Sequence, residues 1–211
     1  MKTFDRRAVL AALPLAGVAL SASPALAQLA AAEQALADKA VAYLDGLKEA
    51  QGRFVQTDNR GATTQGRIFI KRPGKARFEY EPPSGLLVVA DGLNVTLFDA
   101  RLRTFDRQLL RATPLNLFLA RRVRLDGGVR ITRVAQLADG FSITAEDVRR
   151  ETRGRITLNF SNDPVGLLGW TVVDARGSST RVRLVDFRPT SGLDNALFVL
   201  RDPRGNTSPQ R

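Results

Sequence analysis

Strict alternation of apolar and polar side chains begins in the middle of the chain. Ile68, Ile70 and Arg72 fall on one side of an extended run over Gly66 to Arg72, and Arg67, Phe69 and Lys71 fall on the other. Pro73-Gly74 turns the chain, and the next run sets Ala76, Phe78 and Tyr80 against Lys75, Arg77 and Glu79, which predicts a hairpin. Period-two reading starts after Gly52 and takes in Phe54. Further strands are predicted at Leu86 to Ala90, Val95 to Phe98, Arg103 to Gln108, Val129 to Ala135, Phe141 to Glu146, Gly154 to Phe160, Leu167 to Asp174, Thr180 to Phe187 and Ala196 to Arg201. Two stretches break the pattern. Leu29, Leu36, Ala40, Tyr43 and Leu44 form one stripe on a helix over Leu29 to Asp45, stopped at Gly46. Thr113-Pro114 predicts a cap and first turn for a short, very apolar helix over Leu115 to Ala120 that ends at Arg121-Arg122. About ten short strands joined by tight turns make one antiparallel sheet large enough to curl. A curled sheet left open needs a cover over its apolar concave face, and the two helices are the candidates. Periodicity alone does not distinguish a core element from a movable cover for the first helix, and a core element is the commoner case.

The opening segment stands outside this scheme. Lys2, Arg6 and Arg7 precede an apolar run from Ala8 to Leu20, and Ala25-Leu26-Ala27 supplies small residues for cleavage after Ala27. The run is shorter than the roughly 18 to 20 residues that span a bilayer, and Pro14 interrupts it. Residues 1–27 are therefore read as a cleaved export signal and 28–211 as a single domain. The Arg6-Arg7 pair leaves the choice between general secretory and twin-arginine export open. Cleavage removes three bases and the acid Asp5 from a net charge of +11, leaving +9. Export and the charge together point to the periplasm, to anionic lipid surfaces or acidic protein patches as partners, and away from nucleic acid.

Composition narrows the chemistry further. The chain contains no His and no Cys, so imidazole or thiolate catalysis, a Cys/His zinc site and disulfides are excluded. Asp91 and Asp139 precede glycines in turns, Glu146, Asp147 and Glu151 sit beside Arg149 and Arg150, and Ser84 and Ser178-Ser179 lack a neighbouring base. Gly127-Gly128 reads as a turn rather than a phosphate loop. The expectation is a protein that is not an enzyme and needs no cofactor or metal. Arg101, Arg103, Arg107 and Arg111, and Arg149, Arg150, Arg153 and Arg155, suit a solvated sheet face or docking on acidic or lipid partners. Arg72 is different: sharing a side with Ile68 and Ile70, it either meets carbonyls freed at a helix end or swings past Pro73 into water.

These motifs carry a resemblance. Phe54-Val55-Gln56, Gly66 to Lys75, Phe78-Glu79-Tyr80 with Pro82, Val88 to Gly92 and Thr113-Pro114-Leu115 resemble, in order and spacing, the periplasmic outer-membrane lipoprotein carriers of the LolA family. The resemblance implies a mainly β fold, an unclosed (half) antiparallel β-barrel covered by α-helices as a lid. It implies a monomer that binds the acyl chains of lipoproteins in an apolar cavity. Such a carrier takes them from an inner-membrane ABC transporter to the outer membrane, with transient membrane proximity and with a dedicated outer-membrane acceptor left open. By position, Arg72 is similar to the family's lid-bonding arginine, and Leu115, Leu117, Phe118 and Leu119 to part of the lid. Leu36, Phe54, Ile68, Ile70, Ala76, Phe78, Tyr80, Leu86 and Val88 would line the cavity. Ala76 replaces a bulkier family residue and implies a locally wider space. The alternative is a periplasmic lipid- or lipoprotein-sensing regulatory domain of the same fold; such a sensor would need a second domain or an anchor.

Overall fold

Eleven antiparallel strands build one sheet, seen in a computed structural model that describes residues 29–121, 129–147 and 154–202. The expected signal segment, Arg122, Gly127-Gly128, Arg149, Arg150, Glu151 and Arg153 lie outside the described residues. Chain order runs α1 (Ala31–Gly46), β1 (Glu49–Thr57), β2 (Thr63–Lys71), β3 (Lys75–Tyr80), β4 (Leu86–Asp91), β5 (Asn94–Asp99), β6 (Thr104–Leu109), α2 (Leu115–Leu119), β7 (Val129–Leu137), β8 (Gly140–Asp147), β9 (Gly154–Asn162), β10 (Val165–Asp174) and β11 (Ser179–Pro189). In space the order is β6-β5-β4-β3-β2-β1-β11-β10-β9-β8-β7. Two meanders thus meet at the β1–β11 pair. β6 and β7 remain as edges that do not pair with each other, so the barrel is unclosed.

Alternation determines which side chains enter the concave face. Phe54, Ile68, Ile70, Ala76 and Phe78 from β1 to β3, and Ile143, Ile156, Leu158, Phe160, Trp170 and Val182 from the second meander, are all buried there. Removing each large apolar side chain from water contributes roughly 1.5–3 kcal/mol. α1 lays Ala37, Ala40 and Leu44 on this face, with Leu36 and Tyr43 half-buried at its flanks. At its start the Glu33 carboxylate accepts the Ala30 N–H at 3.0 Å, which satisfies one donor at the helix entrance.

Three local expectations are corrected. β1 begins at Glu49 rather than after Gly52, because the register with β11 shifts between Gln51 and Arg53 and interrupts the alternation. A Cβ at Gly52 would stand 2.7 Å from the Phe187 Cα, so the bulge requires glycine. The strand predicted at Ala196 to Arg201 is instead a 3-10 turn over Asn195–Phe198. Asp194 starts it by accepting the Ala196 N–H at 2.9 Å, and Phe198 is buried against β3 and β4 from the convex side. Thr113 does not cap α2: its hydroxyl donates back to the Leu110 carbonyl at 2.8 Å, and Pro114 occupies the N-cap.

Candidate functional site

A cavity of about 600 Å³ lies inside the half-barrel, between β3–β5 on one side and β10–β11 on the other. Its volume falls within the roughly 300–1,000 Å³ of small-molecule sites. Phe78, Val88, Leu97, Trp170 and Val182 form its walls, and Pro114-Leu115 reaches in from the N-cap and first residue of α2. The mouth is polar, with Gln56, Tyr80, Thr180 and the turn Asp174-Ala175-Arg176. Tyr80 donates its hydroxyl to Gln56 Oε1 at 2.7 Å. Burial pushes its phenol up to about 12, against the partial opposition of that hydrogen bond, so Tyr80 is neutral at physiological pH.

The aromatic side chains connect wall, core and cover. The Phe54 ring stands edge-on to both Tyr80 and Phe78, with centroids 4.9 and 5.5 Å apart. Trp170 meets Phe78 edge-on at 6.1 Å and lies tilted by 30° against Phe118 of α2 at 5.5 Å. Such pairs add about 0.5–1.5 kcal/mol beyond their area burial. Trp170 is therefore the shared contact between the cavity wall and the short helix.

Five residues are too few for α2 to satisfy its own ends, and its C-terminus is held by the sheet. Arg72, buried at the end of β2, donates from Nη2 to the Ala120 carbonyl at 2.6 Å. The Gly74 N–H donates to the Leu119 carbonyl at 2.8 Å. Desolvation pulls the Arg72 guanidinium down from its ordinary value, Asp45 opposes this, and the group remains a cation. Its Nε finds no partner among the described residues, so a single charge-assisted bond carries the contact. The cation at the negative end of α2 thus comes from β2. Arg121 makes no such contact in the last turn.

Not every residue expected at the site reaches the open space. Phe78, Tyr80, Val88 and Leu115 line it. Phe54, Ile68, Ile70 and Ala76 lie in solid core, as do Phe118 and Leu119 of the short helix. Leu117 borders only a void of about 30 Å³ beneath α1, the size of a single water. Leu36 packs half-buried on the core, and Leu86 is half-buried at the mouth end of β4, lining neither space. Trp170, Val95, Leu97, Val172 and Val182 line the cavity without having been singled out in the sequence. Alternation around the lone Trp within the predicted strand Leu167 to Asp174 was the available signal.

Fold and cavity together define a class: an unclosed half-barrel with a small helical cover over an apolar space. The family model described as outer membrane lipoprotein carrier protein LolA matches residues 45–201, and the chain belongs to that family of carriers. An outer-membrane lipoprotein carrier protein from Chromobacterium violaceum is 29% identical over 195 residues, covering 88% of this chain and 93% of its own. One from Xanthomonas campestris pv. campestris is 32% identical over 151 residues, covering 66% of this chain and 71% of its own. The crystal structure of a DUF1329 family protein from Desulfovibrio piger shares the fold, with a TM-score of 0.52 at 13% identity over 80% of this chain and 96% of that one. Among the described residues no helix is long and apolar enough to cross a membrane.

Proposed function

We propose that the protein carries acylated lipoproteins through the periplasm, from an inner-membrane ABC transporter to the outer membrane, sheltering acyl chains in the cavity under α2. The observation that carries this reading is an open 600 Å³ space beside a five-residue apolar cover whose end is held by only two bonds, Arg72 to the Ala120 carbonyl and Gly74 N–H to the Leu119 carbonyl. An acyl chain of about 14 methylenes resists water by roughly 11 kcal/mol, so it needs a dry host to cross an aqueous compartment. Release then requires that the host hold it only marginally. A cover whose own Phe118 and Leu119 occupy the core meets both needs, because cargo displaces apolar contact with apolar contact. Net affinity is the difference of two large terms, and about 1.4 kcal/mol in that difference changes transfer tenfold.

A hydrogen bond to a charged group contributes about 1.5–3 kcal/mol, so Arg72→Leu should raise the open population of the cover at least tenfold while leaving the strands folded. Loading from the transporter and release to outer membranes would then both change in rate. Wild-type rates in that variant would refute the gating role. Mass spectrometry of lipidated species co-purifying from periplasm tests the cargo directly; a protein devoid of acylated polypeptides would remove the carrier reading.

A further inference from the structure

The turns after β1, β5 and β10 emerge from the mouth end of the half-barrel and repeat one arrangement. Each is Asp-x-Arg: Asp58-Asn59-Arg60, Asp99-Ala100-Arg101 and Asp174-Ala175-Arg176. In each, the Asp Oδ1 accepts the backbone N–H of its Arg, at 2.9, 2.8 and 2.8 Å. Each oxygen also accepts a second backbone N–H, from Ala62, Leu102 and Ser178 respectively. The three carboxylates are thus committed to their own turns. Two further acids at this end are also engaged, Glu81 by Arg53 and Gln65 and Glu146 by Arg130. The Arg60, Arg101 and Arg176 side chains are exposed and form no ion pair with another described residue.

Turn chemistry does not require these arginines. At the opposite end Asp91 accepts the N–H groups of Leu93 and Asn94 at 2.8 and 2.7 Å in the same manner, and the residue two places on is a leucine. Several bases at that end are engaged internally, Arg72 on Ala120, Lys71 on Glu49, Lys75 on Asn195 and Lys48 on the Asp45 carbonyl, while Arg121 and Arg188 are exposed there outside any such repeat. Three guanidinium groups with no ion-pair partner among the described residues therefore stand around the cavity mouth. Between Arg101 and Arg103, at the tip of the turn after β5, Leu102 stands 57% exposed.

We propose that this rim is a docking surface for anionic phospholipid headgroups, which sets the protein mouth-first on a membrane. Guanidinium forks match phosphate oxygens, and an arginine-flanked leucine suits the boundary between headgroups and acyl chains. A purely acidic protein partner would pair with the arginines but gives no reason for the bare Leu102. The functional meaning of the orientation rests on the carrier reading. The test uses no cargo, so its failure would remove the rim assignment alone.

The mature chain is sedimented with vesicles of phosphatidylcholine, or of phosphatidylcholine with about one-third phosphatidylglycerol. Binding is expected only to the anionic vesicles and should fall with salt. Each arginine replaced should weaken it roughly five-fold, so the triple variant Arg60→Gln, Arg101→Gln, Arg176→Gln should lose on the order of a hundred-fold. Leu102→Ser should weaken it a few-fold. A control that removes two charges from exposed positions of β11 farther from the mouth, Arg183→Gln, Arg188→Gln, should lose much less than the rim variant Arg101→Gln, Arg176→Gln. No sedimentation with anionic vesicles would overturn the proposal in favour of an acidic protein partner. Equal losses in the rim and β11 variants would overturn it in favour of diffuse attraction by net charge.

Discussion

Beneath α1, the β7–β9 side of the concave face is filled: Phe141 and Phe160 stack at 5.1 Å, Tyr43 stands edge-on to Phe160, and the residual void is about 30 Å³. The β3–β5 side of the same sheet has equally apolar inward residues but keeps about 600 Å³ empty. What differs is the length of the cover. Sixteen helical residues reach about 24 Å, while the five of α2 reach about 8 Å. A helix long enough to lie across several strands turns the alternating face into a core. A helix too short to do so leaves a cavity, and its end is held by Arg72 and the Gly74 N–H. Open cavity and packed core are therefore separated along one continuous sheet.

The sharpest way to break this comparison is to make a cavity in the filled half. Phe160→Ala should cost about 3–5 kcal/mol in urea denaturation, because its stacked and edge-on partners are fixed by α1 and the neighbouring strands. A loss under 1 kcal/mol would show that this half is as loosely filled as the other.

Dryness of the open half is the next largest effect. Tyr80 sits at the mouth with its phenol pushed up to about 12. Since the folded value is raised, stability is unaffected below the ordinary value of 10 and falls as pH rises from there to about 12, by on the order of 2–3 kcal/mol. Absorbance titration in a Tyr43→Phe background isolates this phenol, since the chain has two tyrosines. Ionisation near 12 means a mouth wall that excludes water; ionisation near 10 means a wet cavity.

Much of this division was legible in the sequence, though unevenly. Period two placed Ile68 and Ile70, and Phe78 and Tyr80, on one side of their strands because the pleat alternates facing, and the family resemblance made that side the concave one. It could not tell Phe78, which borders the cavity, from Ile68, which lies in solid core. That distinction depends on how far α1 and α2 extend over each strand, a relation between elements distant in the chain. Trp170 escaped for the same reason: its strand was legible, but its contact with Phe118 exists only once the two meanders are joined through β1 and β11. The β1 start was hidden by the bulge at Gly52. The turn at Asn195–Phe198 was hidden because Phe198 is buried against the convex face, which an alternation reading assigns to solvent.

Filling the cavity should separate stability from uptake. Val88→Phe adds volume to a wall residue that faces empty space, so stability should change by no more than about 1 kcal/mol, unlike overpacking of a filled core. Binding of a fluorescent fatty acid should drop roughly tenfold, about 1.4 kcal/mol. Unchanged uptake would place the acyl site elsewhere.

The smallest effect concerns the back of the cavity wall. Residues 190–198 cross the convex face behind β3 and β4, where Arg77 Nη1 donates to the Leu197 carbonyl at 2.9 Å. Glu49 anchors the start of this strap. Its Oε2 accepts the Leu193 N–H at 2.8 Å and its Oε1 pairs with Lys71 at 3.0 Å. The Leu193 N–H, and then Lys71, hold the Glu49 carboxyl below its usual range. A lowered folded value stabilises the strap above the unfolded carboxylate range and loses that support as pH falls through the folded value. Amide exchange at Leu193 should therefore gain an excess acceleration at acid pH over the amides of β8 and β9, and Glu49→Gln should abolish that excess. Because the strap braces only the open half's wall, the filled half should show no matching change. A parallel loss of protection in β8 and β9 would mean that the two halves unfold as one unit and that their separation is confined to packing.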